Sequence, residues 1–271
     1  MKNIDKSIVV STPDAEFSAL AYKEDFRESI SKVAEMDFDV VELAVRDPEA
    51  VETEQIFEVL SDFELEVPAI GTGQAYGEEG LSFTHPDREI RARAVERIKD
   101  QMDFAEELEG AQIIIGLLRG KLSEDQSHEE AEGYFLECLQ ECADYNEEII
   151  LTLEPINRYE TDLYNTISEM IEIIEKADRK NIGLLADTFH MNIEEPIIAG
   201  GFRKSAKHLS HVHFADSNRH APGSGHLNFN RIISVLNEIE YNGAVSAEIL
   251  PEPTPDESAR LTVEHYKKLG L

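Results

Sequence analysis

The chain has 271 residues, with 56 Asp and Glu against 25 Lys and Arg, a formal net charge of −31. A surface this acidic repels phosphate backbones and anionic lipids, which excludes nucleic acid and membrane as partners. The acids are spread along the chain, a pattern of solubility or of a salty cytoplasm rather than of an acidic interaction tail. Hydrophobic residues make up 41%, enough for a sizeable core. No apolar run approaches transmembrane length. The first residues carry Asp5 and only Ile8-Val9-Val10 as an apolar run, so no signal peptide is read there and the expected location is cytoplasmic. Cys138 and Cys142 sit four apart on a predicted helix and read as reduced thiols.

In chain order, a strand is predicted at 7–11, then an amphipathic helix at 25–36 with Phe26, Ile30, Val33 and Ala34 on one stripe. A second strand at 39–44 precedes a helix that starts at Thr53 and buries Ile56, Phe57, Val59 and Leu60. The third strand, 67–71, leads into a long loop at 72–87 containing Gly73, Gly77, Gly80 and Pro86; loops of that length in compact domains tend to be functional. A charged helix follows at 88–108. The strand at 111–118 contains Ile113-Ile114-Ile115, buried on both faces. A helix at 127–148 comes next, then the fifth strand at 149–154. Thr166 caps a helix to Ala177, with Glu169 completing a capping box. The sixth strand is 182–187, the next helix 196–207 (weakened by Gly200-Gly201), and the seventh strand 209–214. A helix at 230–241, a strand at 244–249 and a helix at 256–269 close the chain.

Eight strands alternating with eight helices imply a parallel sheet, and eight units in this length are the size of a closed (β/α)8 TIM barrel, here one catalytic domain over 1–271. A doubly wound open sheet usually carries a phosphate-binding glycine fingerprint after its first strand. Ser11-Thr12-Pro13-Asp14 is not one, and Gly71-Thr72-Gly73 lacks the third glycine.

Active sites of such barrels lie at the C-terminal ends of the strands. There the fifth strand ends in Glu154 and the sixth in Asp187, the seventh carries His211 and His213, and the eighth ends at Glu248. Residues two apart share a strand face, so Thr152 lies below Glu154, Leu185 below Asp187, His211 below His213 and Ser246 below Glu248. Three carboxylates cannot crowd together as anions without protonation or a cation. Three carboxylates with one imidazole suit Mn2+, with Mg2+, Co2+ or Zn2+ as alternatives. Two carboxylates facing a substrate act as base on one face and acid on the other. A cation held by adjacent carbonyl and hydroxyl oxygens lowers the carbon-acid barrier and stabilises an enediolate, the chemistry of an epimerase or isomerase of α-hydroxyketones.

Together these residues carry a resemblance. Glu154-Pro155-Ile156-Asn157-Arg158-Tyr159-Glu160, Asp187-Thr188-Phe189-His190, His211-Val212-His213 with Asp216-Ser217-Asn218-Arg219, and Glu248 make the chain similar to the sugar isomerase/epimerase superfamily of xylose-isomerase-like barrels, most closely its ketose 3-epimerase branch. The resemblance implies Glu154, Asp187, His213 and Glu248 as ligands of one divalent metal ion, and Glu154 and Glu248 as the proton-transfer pair at C3 of a ketose. It implies Glu160, His190 and Arg219 as substrate-binding residues, and a dimer or tetramer, although no interface is legible in the residues. Read on their own, His190 suits donation to a substrate oxygen or a bond to a neighbour. Arg219 suits a hydroxyl contact, the orientation of Glu248 or a surface ion pair. Arg158 reads as a buttress to an acidic neighbour and His211 as a satisfied barrel histidine one layer deeper.

Arg119, at the end of the fourth strand, is a cation that a neutral ketose does not require. It suits a substrate carboxylate held bidentately, or else a salt bridge to a nearby acid. The segment Gly71-Thr72-Gly73-Gln74-Ala75-Tyr76 is placed to close over the same end. The set resembles a subgroup linked with keto-sugar acids such as 5-keto-gluconate, so the expected substrate is a free ketose or a keto acid. Competing readings are an aldose–ketose or keto-inositol isomerase, a dehydratase of a cyclic keto compound, and a barrel that only binds sugar. An endonuclease of the same superfamily needs more His ligands and a basic surface, which the charge argues against.

Overall fold

The computed structural model describes residues 4–13, 22 and 25–271. Residues 1–3 and Asp14, part of stretches read above, lie outside them. Strands β1 (Asp5–Ser11), β2 (Glu42–Ala44), β3 (Ala69–Gly71), β4 (Gln112–Ile115), β5 (Leu151–Leu153), β6 (Ile182–Asp187), β7 (Leu209–His213) and β8 (Ala244–Ala247) form a closed parallel barrel in sequence order. β1 completes the ring by pairing with β2 from Val9↔Glu42 to Ser11↔Ala44 and with β8 from Asp5↔Ala244 to Ile8↔Ala247. Closure leaves no sheet edge.

The period-2 alternation of each strand divides two chemistries. Ile8, Val10, Leu43, Ile70, Ile113, Ile115, Leu151, Leu153, Val212 and Val245 face outward and join one apolar cluster with the surrounding helices. Each such fully buried side chain stabilises the fold by about 1.5–3 kcal/mol. Inward-facing residues are a few apolar side chains above a polar layer. Val9 packs with Ala44, Ala69 with Ile114 and Leu185, and below them Thr152 Oγ1 bonds Gln112 Oε1 at 2.8 Å and lies 3.1 Å from Ser210 Oγ.

Among the described residues ten α-helices surround the barrel: α1 (Phe26–Glu35), α2 (Thr53–Asp62), α3 (Gly73–Glu79), α4 (Arg88–Glu107), α5 (His128–Tyr145), α6 (Ile167–Ala177), α7 (Thr188–Glu194), α8 (Ile198–Ser205), α9 (Phe229–Glu238) and α10 (Pro255–Leu269). The capping box of α6 is present in both directions: Glu169 N donates to Thr166 Oγ1 at 3.2 Å and Thr166 N to Glu169 Oε2 at 2.9 Å. Two helices differ from expectation. The segment 72–87 was expected as loop because of its glycines; α3 forms there with Ala75 fully buried and Gly80 ending it at φ +68°. Its last residue, Glu79, bonds Arg97 of α4 at 2.8 Å, and Arg97 also reaches Asp47 at 2.9 Å, so tertiary contacts override the weak propensity. The second is α7, which starts immediately after β6 because the Asp187 carboxylate caps it, Phe189 N donating to Oδ1 at 2.6 Å. The strand expected at 111–118 stops at Ile115 and turns through a 3-10 segment, Leu117–Arg119.

One irregularity aims the site. Between β6 and β7 the register shifts, so Leu184 pairs with Leu209 but Leu185 with His211 and Asp187 with His213. The extra residue, Ser210, is what brings two histidines and Asp187 to the same inward row.

Candidate active site

Glu154, Asp187, His213 and Glu248 stand at the C-terminal ends of β5 to β8, each offering one ligand atom within 4.8 Å of the others. His213 Nδ1 lies 3.8 Å from Glu154 Oε1, 4.0 Å from Asp187 Oδ2 and 3.9 Å from Glu248 Oε2. These spacings are too long for hydrogen bonds, and Glu154 Oε1, Asp187 Oδ2 and His213 Nδ1 are buried with no hydrogen-bond partner. Three buried polar atoms aimed at one point are costly unless a cation completes them, and oxygen donors with one imidazole suit a divalent ion.

The electrostatics describe the same strain. Burial pushes the Glu154 carboxyl well above its ordinary range, and Glu248 adds to the rise. Burial likewise lifts Asp187 to about 6, against the opposing pull of His213 and Arg219. For His213 burial disfavours the imidazolium, but Glu42, then Glu248 and Glu154, overcome it and raise the ring to about 10. Gly116, at the end of β4, makes room for Glu154: a Cβ there would sit 2.5 Å from Glu154 Oε2.

Glu42 is a site residue that the sequence reading missed. It is 1% exposed on β2 and reaches across the barrel to β7. Its oxygens lie 3.0 and 3.1 Å from His213 Nε2, and Oε2 lies 2.7 Å from His211 Nε2. A carboxylate on Nε2 holds the ring so that Nδ1 faces the other three ligands. A signal was present: Glu42 shares parity with Ala44 inside the apolar run Val40-Val41-Glu42-Leu43-Ala44, so its carboxylate had to point inward. His211 lies one layer down, its Nε2 held by Glu42 at 2.7 Å and by Ser246 Oγ at 3.2 Å, while its buried Nδ1 has no hydrogen-bond partner.

A second ring surrounds the four. His190, 2% exposed, has Nε2 3.7 Å from both Glu154 Oε1 and Asp187 Oδ2. Burial, with Arg219 next, holds it neutral. Asn157 Nδ2 lies 2.8 Å from its Nδ1; with that nitrogen accepting, the proton sits on Nε2 and points into the site. Asn157 Nδ2 also donates to Glu160 Oε1 at 2.7 Å. Arg219 donates to Glu248 Oε2 at 2.5 Å and Glu160 Oε1 at 3.4 Å, its guanidinium 5.0 Å from the Phe189 ring centre. Its backbone is left-handed at φ +60°, a strain of about 1–2 kcal/mol for a residue with a Cβ. The loop is pinned by Asp216, whose carboxylate accepts from Ser217 N at 2.7 Å and Gly223 N at 2.9 Å. Arg158 stands outside the ring and buttresses α7, bonding Glu194 at 2.6 and 2.9 Å.

Glu154, Glu160, His190, His213, Arg219 and Glu248 line one cavity, whose opposite wall includes Ala44, Gly71, Gly73, Gln74 and Leu117. Asp187 lies behind it, with Oδ2 turned to the centre. Arg119 departs from the expectation of a carboxylate contact. It is fully buried, is not among the cavity-lining residues, and donates through Nη1 to the Glu154 main-chain oxygen. The turn Leu117–Arg119 folds it back under the rim, and burial lowers it to about 10. The segment expected to close over the site is α3, with Gly71, Thr72, Gly73 and Gln74 on the cavity wall.

The comparisons point the same way. The family described as xylose isomerase-like TIM barrel matches residues 30–269. An L-ribulose 3-epimerase of Methylomonas sp. is 29% identical over 230 residues, covering 82% of this chain and 77% of the relative. A D-psicose 3-epimerase of Ruminiclostridium cellulolyticum is 30% identical over 233 residues, covering 84% and 79%. The crystal structure of a D-allulose 3-epimerase from Methylomonas sp. superposes with a TM-score of 0.84 at 25% identity, covering 99% of both chains.

Proposed function

This chain belongs to the xylose isomerase-like TIM barrel family, and we propose that it is a carbohydrate epimerase that inverts C3, the carbon next to the ketone, of a neutral ketose. The observation that carries this is the convergence of Glu154, Asp187, His213 and Glu248 around unbonded ligand atoms, in a chain whose relatives are named ketose 3-epimerases. These four residues would hold one divalent cation, Mn2+ in our reading and Mg2+, Co2+ or Zn2+ otherwise. When bound, that cation supplies Lewis-acid polarisation of the ketone.

The protein's own groups supply the rest. Glu154 takes the C3 proton on one face, and Glu248 returns one on the other; the roles exchange for the opposite epimer. Arg219 fixes Glu248 and Glu160, so the returning acid is held in place. Neutral His190 donates a hydrogen bond from Nε2 to a sugar oxygen. Glu42 keeps His213 in the tautomer that presents Nδ1.

The cavity favours a neutral sugar over a keto acid. Among the described lining residues the one Arg or Lys is Arg219, already bonded to two glutamates, while Glu42, Glu154, Glu160 and Glu248 are acidic. A substrate carboxylate would meet like charge there. The test is a panel of ketohexoses, ketopentoses and keto-sugar acids with Mn2+, read by NMR. C3 epimers of the neutral sugars are expected. Turnover of keto acids alone would overturn the substrate class, full activity after thorough chelation would remove the metal, and exchange confined to C1 would indicate an aldose–ketose isomerase.

A further inference from the structure

The cavity has two unlike walls. Strand order places β3 opposite β7, and the cavity runs from the Glu154–Glu248 pair to residues of β2, β3 and β4. Among the described residues that far wall, apart from Glu42, offers few hydrogen-bonding side chains. Ala44, Gly71, Gly73 and Leu117 offer none, and the Thr72 hydroxyl is consumed by Ile114 O at 2.7 Å. Gln74 is the exception. Its side chain lines the cavity from the first turn of α3, the residue is 5% exposed, and its Oε1 is buried with no hydrogen-bond partner. Gln101 also has an unpartnered Oε1, but its amide is turned to Val45 O at 2.8 Å and does not line the cavity.

We propose that Gln74 is the specificity-determining residue for the distal end of the substrate, bonding the C5 or C6 hydroxyl of a ketose through its side-chain amide. The inference rests on the ketose reading above and deepens it. An amide is uncharged and offers both an acceptor and donors, so it matches a hydroxyl rather than a carboxylate. A buried amide oxygen left unbonded is unfavourable, so a sugar lacking that hydroxyl is rejected by the group it fails to satisfy. The position is rigid enough to discriminate, because α3 is tied to α4 through Glu79 and Arg97 at 2.8 Å, and the chain just beyond α3 is held by Phe83 N donating to Leu118 O at 3.0 Å. Gly73, beside it, leaves the approach open.

The test compares a ketohexose with its 5-deoxy and 6-deoxy analogues, using wild-type, Gln74→Leu and Gln74→Met proteins loaded with Mn2+. Wild type should turn over the parent with a kcat/KM about tenfold above one of the two analogues. In both variants the parent should fall about tenfold while that analogue changes less than about twofold, so that the preference disappears. Equal losses on the parent and both analogues, or no loss on any, would overturn the role of Gln74. Metal-dependent thermal stabilisation equal to wild type identifies a folded, loaded variant; if Leu disturbs it, Met carries the comparison. Deuterium exchange at C3 of the parent in wild type keeps the two readings separate. Exchange without a Gln74 effect sinks only this inference, whereas no exchange from any ketose sinks the epimerase reading itself.

Discussion

The two halves of the barrel rim are built on opposite principles. β5 to β8 end in Glu154, Asp187, His213 and Glu248, crowded within 4.8 Å. β1 to β4 present Val9, Ala44, Gly71 and Gly116 to the same cavity. One half stores electrostatic strain that a cation relieves; the other supplies space and one amide. The link between them is Glu42, which starts on β2 and bonds His213 on β7. Chemistry and selection are thus separable by residue, and each prediction below tests that separation.

The largest effects belong to the reactive half. Glu154→Gln and Glu248→Gln should each lower kcat by about 10³-fold or more, because each removes one face of proton transfer, with loss of C3 inversion measured by NMR. A loss below about tenfold for either would break the two-acid account. Glu42→Gln should come next, weakening Mn2+ binding by about 10–100-fold in calorimetric titration while the far-wall substrate preference stays unchanged. Unaltered metal affinity would cut the proposed link between the halves.

The pH dependence is more modest. In the protein without cation, burial raises Glu154 and lifts Asp187 to about 6. Both bind protons more readily folded than unfolded. The contribution of Asp187 to stability is therefore greatest below the ordinary carboxylate range and is lost as pH rises through about 6, and that of Glu154 is lost as pH rises above its ordinary range. A cation competes with those protons and with the proton on His213, raised to about 10. Mn2+ should accordingly raise Tm by about 5 °C or more at pH 7.5 and by much less at pH 5, in scanning calorimetry. An equal gain at both pH values would contradict a carboxylate-rich site. Smallest is Thr166→Ala, which should lower stability by about 1 kcal/mol through loss of the α6 cap and leave kcat unchanged. A fall in kcat would show the helical layer and the site to be coupled.

Much of the reactive half was legible because strand alternation and the barrel's polarity place strand-end residues at one rim: Glu154, Asp187, His213 and Glu248 converge as the pattern requires. What sequence periodicity could not supply was depth and direction. Glu42 lay at the start of its strand, two residues short of the rim. Arg119 lay at a strand end, but a 3-10 turn reversed it beneath Glu154, and no local pattern announces that turn. α3 was hidden by its glycines, since its stability comes from Arg97, far along the chain. The register shift at Ser210, on which the Asp187–His213 pairing depends, has no signature in hydrophobic alternation.

The central claim is that Glu154 and Glu248 move a proton at the carbon beside a ketone. Its most direct measurement is the fate of the C3 hydrogen when a ketohexose is incubated with the Mn2+-loaded protein in D2O. The account predicts deuterium at C3 in both epimers, none at C1, and no epimerised product with Glu248→Gln. Retention of the C3 hydrogen in the epimerised product, or no exchange from any neutral ketose, would contradict it.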